Sequence, residues 1–159
     1  ALAVQPEFLV CDESVEALDV SIQAQVLYLF MDLRADLGLT YLFVSHDLGV
    51  IEHLADLVVV MYLGRVVETA TTQALFAAAA HPYTQALLAE VPRIDASRSH
   101  FHVIKGEIPS PLEPPAGCHF HPRCPHAFAR CSVERPQLRE VASGHWSACH
   151  LHDEGGHGA

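Results

Sequence analysis

A chain of 159 residues, 50% hydrophobic and 18% charged, has the make-up of an ordinary globular domain, which excludes disorder throughout. Its net charge of −10 is unevenly placed: residues 1–92 carry two basic against twelve acidic side chains, and residues 93–159 carry seven of each. An acidic first part excludes nucleic acid as a partner, because phosphate contacts need Lys and Arg, and the longest clean apolar run, Leu57 to Leu63, falls short of the roughly 18 residues that span a bilayer.

Phe8 to Cys11 is a short apolar run after Pro6, which predicts a strand buried on both faces and ending on Asp12 and Glu13. Carboxylates at such a place are costly to desolvate unless something binds them. Asp19 is placed to cap a helix whose apolar stripe runs Ile22, Val26, Leu29, Leu33 and Leu37, and Gly38 is placed to stop it. Tyr41 to Val44 predicts a second strand, followed by Ser45 and His46, with Asp47 capping a helix to about Leu54. Leu57 to Tyr62 predicts a third strand, and Gly64 turns the chain into Arg65 to Glu68. The order strand, helix, strand, helix, strand predicts an α/β fold with a parallel sheet. Ligands gather at the C-terminal strand ends of such sheets, where Asp12, Glu13 and His46 fall.

That constellation has a definite chemistry. An Asp at a strand end can hold Mg2+ and so neutralise phosphate charge, and an adjacent Glu can orient or deprotonate water. His46 can hydrogen-bond a terminal phosphate. The plain alternative is that the carboxylates cap a turn and His46 is a polar strand-end residue.

FLVCDESVEALDVSIQAQ followed by TYLFVSHDLGVIEHLADLVVVMYLGRVVE resembles the second half of an ABC transporter nucleotide-binding domain of the oligopeptide and dipeptide importer branch. The resemblance implies the C-terminal half of a P-loop NTPase sheet, with Asp12 and Glu13 as the Walker B acid and catalytic Glu, Asp19 as the D-loop acid and His46 as the phosphate-sensing switch His. HPYTQALLAEVP resembles the helix characteristic of peptide importers. Two positions depart from the pattern: Ser14 stands where Pro is usual, and Glu16 where Ser or Thr is usual, which puts an extra anion near the dimer interface. The Gly-rich phosphate loop and the LSGGQ-like signature do not occur in these 159 residues. In the family both precede the region matched here, so an upstream segment is expected, and this chain alone is not expected to bind ATP usefully.

Nine of the twelve His and four of the five Cys lie after residue 92, so a boundary is expected near Pro92, between a nucleotide-binding part over 1–92 and an extension over 93–159. The extension opens with the Pro-rich connector IPSPLEPPAG and continues into an irregular cysteine-rich tail. Cys118, Cys124, Cys131 and Cys149 are separated by five, six and seventeen residues, which matches no zinc ribbon. Four thiols in so short a segment suit one metal centre, either a 4Fe-4S cluster or Zn2+, with His119, His121, His126, His145 and His150 as substitute ligands. Trp146 is placed to help shield such a centre.

Taken whole, the resemblance implies an ATP-hydrolysing subunit that powers peptide uptake using ATP and Mg2+. It also implies a second ATPase subunit, paired transmembrane permease subunits and a separate substrate-binding protein, with the subunit peripheral on the cytoplasmic face of the membrane. A nontransport ABC-type ATPase and a noncatalytic metal-binding interaction module are the alternatives.

Overall fold

A computed structural model describes residues 2–91 and 106–153. The predicted boundary at Pro92 lies outside the described residues; the chain forms two compact units, over Ala1–Ala55 and Asp56–Ala159.

In the first unit, β1 (Phe8–Asp12) and β2 (Thr40–Val44) pair in parallel from Phe8↔Thr40 to Asp12↔Val44. Between them runs α1 (Val20–Leu37), which Gly38 ends at φ 64, the left-handed conformation that glycine adopts without strain. Asp19 holds the N-cap position but makes no side-chain cap bond. The helix meets the sheet through Phe30, whose ring packs edge-on against Tyr41 and Phe43, while the Tyr41 hydroxyl donates to the Phe30 carbonyl. This differs from the predicted stripe: Ile22, Leu29 and Leu37 are exposed, so the face that packs is rotated toward Phe30. Nor is β1 buried on both faces, because α1 covers one side and Phe8, Val10, Leu42 and Val44 are exposed on the other. The helix α2 (Leu48–Leu54) is capped by Asp47, whose carboxylate accepts from the Gly49 amide at 2.8 Å.

The second unit holds β3 (Leu57–Tyr62), which does not join the parallel pair as its place in the chain order predicts. It forms an antiparallel hairpin with β4 (Arg65–Thr71), because Leu63 at φ 44 and Gly64 at φ 73 make a two-residue turn that suits the right-handed twist of a hairpin. The α3 helix (Thr72–Ala78) and α4 helix (Pro82–Glu90) follow. Pro82 occupies the first turn of α4, where its missing N–H is no loss, and His81 Nδ1 accepts from the Tyr83 amide. After the connector, which has no strand or helix from 106 to 120, come a one-turn α5 (Ala129–Val133), β5 (Arg139–Ala142) and β6 (His145–Ser147). The sheet order is β3-β4-β6-β5, so the end of the cysteine-rich segment is woven onto the hairpin.

A buried carboxylate joins these pieces. Glu68 on β4 is fully buried and accepts from the amides of Ala80 and His81 and from His145 Nε2 at 2.6 Å. Beside it, burial pushes the His81 imidazole down to about 4, against the milder upward pull of Glu68. Among the described residues no helix is long and apolar enough to cross a membrane.

Candidate functional site

Two clusters carry chemistry, one in each unit. In the first, Asp12 closes β1 and is exposed, and the next residue, Glu13, adopts φ 47 while its amide still donates to the Val44 carbonyl at 3.0 Å. A left-handed Glu is strained relative to an extended one, and such strain persists where the surroundings over-determine it. Here the Val44 bond holds the backbone, and Val15, two residues on, is completely buried and pins the following turn. The side chain of Glu13 is thereby left in solvent at the strand end, 66% exposed.

His46 follows β2, and parallel pairing of β1 and β2 brings it to the same end. Its Nδ1 lies 3.9 Å from Glu13 and 2.7 Å from Glu16. Glu16 also accepts from the Ser45 hydroxyl at 2.8 Å and from the His46 amide at 3.0 Å. Among the described residues, Glu13, Glu16 and His46 form the group whose ligating atoms lie within 4.8 Å of one another. The structure therefore brings together Glu13 and His46, sets Asp12 beside them in the chain, and keeps Asp19 at the head of α1. Glu16, singled out in the sequence only as a departure from pattern, is the residue that contacts His46 most closely.

In the second unit, Cys118, Cys124, Cys131 and Cys149 all line one small pocket with Phe120, His81, His121, His126 and His150. Short backbone bonds hold the loops that carry them: the Cys118 amide donates to the Cys131 carbonyl at 2.9 Å, and the Cys131 amide to Phe128 at 2.9 Å. Gly117, at φ 65, lies against the Cys131 and Ser132 backbone so closely that a Cβ there would collide. All four sulfurs are unpaired thiols, and no three of them fall within 4.8 Å of one another. Burial pushes the thiols of Cys118 and Cys124 up, and that of Cys149 to about 12.

The surrounding His are largely committed. His119 Nε2 accepts from Arg65, His145 bonds Glu68, and His150 faces Asp153 with Nδ1 and the Glu134 carbonyl with Nε2. His121 Nδ1 lies 2.9 Å from the Cys118 carbonyl. Trp146 does not line the pocket and is 40% exposed; the shielding ring is Phe120, 1% exposed and packed among Tyr62, Tyr83 and His81. Burial with this many ring contacts depends on residues distant in the chain, which is why the sequence singled out Trp146 instead.

Residues 67–131 match the family described as the oligopeptide/dipeptide transporter C-terminal region. The chain is 53% identical over 150 residues to a Brucella ovis protein named for peptide import and ATP binding, covering 94% of this chain and 47% of that relative. It is 49% identical over 149 residues to the dipeptide transport ATP-binding protein DppF of Haemophilus influenzae, covering 93% and 46% respectively. A Bacillus subtilis protein named for oligopeptide transport and ATP binding is 46% identical over 156 residues, 96% of this chain and 47% of the relative. The chain spans about half the length of the relatives it matches.

Proposed function

From a chain whose residues 67–131 match the oligopeptide/dipeptide transporter C-terminal region and which peptide-import ATP-binding proteins match over 94% of its length, we propose that it forms part of an ATP-hydrolysing importer subunit. The observation that carries the reading is the meeting of Glu13 and His46 at one end of the parallel β1–β2 pair, directly after Asp12. In this reading Asp12 holds Mg2+, which when bound neutralises phosphate charge. Glu13 orients the attacking water and takes its proton, and His46 donates to the terminal phosphate. Asp19, at the head of α1, links the two nucleotide sites across a dimer with a second ATPase subunit. The exposed sheet face of Phe8, Val10, Leu42 and Val44 packs against the remainder of a polypeptide of the relatives' length. The compositional boundary near Pro92 separates the nucleotide-binding part from its extension. Peptide is the cargo, a separate binding protein selects it, and paired permease subunits carry it while this subunit sits on the cytoplasmic face of the membrane.

His46→Ala in the complete ATP-binding protein tests the assignment. It lowers kcat by the equivalent of about 2.7–4 kcal/mol, the range for removing one donor to a developing oxyanion. Steady-state ATPase assays with unchanged kcat would remove His46 from the mechanism.

The four cysteines are proposed to hold a metal centre that ties the extension together, with a 4Fe-4S cluster as the leading identity and zinc as the rival. The four sulfurs line one pocket, and their number suits either centre. His150, which lines the pocket, is engaged on both ring nitrogens, and His121 and His126 line it as candidate substitutes for a Cys3His site. Anaerobic purification followed by metal and sulfide analysis is expected to find iron with acid-labile sulfide and a broad visible absorption. Zinc alone supports the rival, and four freely titratable thiols without metal defeat both.

A further inference from the structure

The turn between β1 and α1 presents one carboxylate to three donors. Glu16, its side chain only 13% exposed, accepts from the Ser45 hydroxyl at 2.8 Å and the His46 amide at 3.0 Å, and faces His46 Nδ1 at 2.7 Å. Ser45 Oγ in turn accepts from the Asp47 amide at 3.0 Å, so its proton is directed at Glu16. Burial of Val15 beside Glu16 anchors the turn that carries the carboxylate. His46, by contrast, is 77% exposed and makes its short side-chain contact with Glu16. An ionised carboxylate can only accept, so Nδ1 must carry the proton that lies between them. Nε2 is left as the nitrogen that meets a ligand, and it donates to a phosphate only when it carries a second proton.

We propose that Glu16 is a positioning residue for His46, holding the imidazole as its Nδ1–H tautomer with Nε2 directed outward, and stabilising the imidazolium that forms when Nε2 also carries a proton. The logic is that of a buried carboxylate behind a catalytic imidazole: the acid does not take the proton but selects the tautomer and offsets the ring's charge. This deepens the reading of His46 as the phosphate-contacting group and rests on it. A Ser or Thr at position 16 is too short to span the same three donors and brings no charge, so a site with Glu16 holds its switch His by a different device.

Two measurements test this. In the 159-residue chain with 15N-labelled His, long-range 1H–15N correlation at about pH 9, above the ordinary imidazole range, reads the tautomer of His46. The native chain shows Nδ1 protonated, and Glu16→Gln, whose amide group donates toward Nδ1, moves the proton to Nε2. A native Nε2–H ring, or the same tautomer in both proteins, overturns the proposal. In the complete ATP-binding protein, Glu16→Gln lowers kcat by about tenfold, as is usual for partners that orient a reacting group, with KM for ATP changed less than about twofold. It lowers kcat no further in a His46→Ala background, and additive losses overturn the coupling. Should His46→Ala retain full turnover, the phosphate-contacting role falls, while the tautomer measurement still decides whether Glu16 governs the ring.

Discussion

Glu13→Gln in the complete ATP-binding protein leaves ATP binding intact and lowers steady-state hydrolysis by at least about 100-fold, the lower end of what a general base contributes. The amide keeps the shape and the solvent-facing position of Glu13 but cannot accept a proton. Its backbone is held independently of the side chain, by the Glu13 amide bond to Val44 and the burial of Val15, so the substitution leaves the strand end in place. The left-handed φ of 47 is no harder for Gln than for Glu. Loss of turnover with retained nucleotide affinity, measured by an ATPase assay beside equilibrium binding, is the expected pair of results. Near-normal turnover would mean that Glu13 is a turn residue and that another group activates water.

The second large effect falls in the second unit. Glu68→Ala lowers the stability of the second unit by about 3–5 kcal/mol, because it removes the buried acceptor of three donors at once. Two are the amides of Ala80 and His81 at the entry to α4, and the third is His145 Nε2 on β6. Against a typical stability of about 5–15 kcal/mol that is a large share. Trp146, the single tryptophan, pairs with Thr69 on the strand that carries Glu68, so its fluorescence reports this unit. In urea its unfolding midpoint falls by at least about 1 M at the slopes usual for such domains. Glu68→Gln, which keeps one acceptor, loses less. An unchanged midpoint for the Ala variant would show that water takes over these bonds and that the carboxylate does not hold α4 to the sheet.

Local chemistry was readable from sequence wherever the partners are near in the chain. Gly38 stops α1, Asp47 caps α2 through an amide two residues away, and Pro82 opens α4, each by contacts within a single turn. The ends of β1 and β2 followed from apolar runs and their polar stops, which set Asp12, Glu13 and His46 at strand termini. The gathering of four cysteines in the tail was visible as composition, and the shared pocket is the spatial form of that pattern.

Where partners are distant, sequence had no signal to offer. The stripe Ile22 to Leu37 has helical period, yet period alone does not say which apolar face meets the sheet, and the aromatic cluster of Phe30, Tyr41 and Phe43 rotated the choice. The turn at Gly64 was legible, but chain order placed β3 in the parallel sheet, and only the fold shows it paired with β4 and, through β4, with β6. Glu16 read as a misplaced anion until folding set it against Ser45 and His46, about thirty positions later. Glu68 read only as the end of the segment into which Gly64 turns the chain, and its donors arrive 12, 13 and 77 residues downstream. The sequence by itself thus determined the elements from β1 to β3 and where they stop, because propensity, capping and turn chemistry act over a few residues, whereas α5, β5 and β6 stand in a tail read as irregular. Tertiary structure alone decided which carboxylates are sequestered and what they hold, because a buried charge is defined by donors that only the completed fold brings within 3 Å.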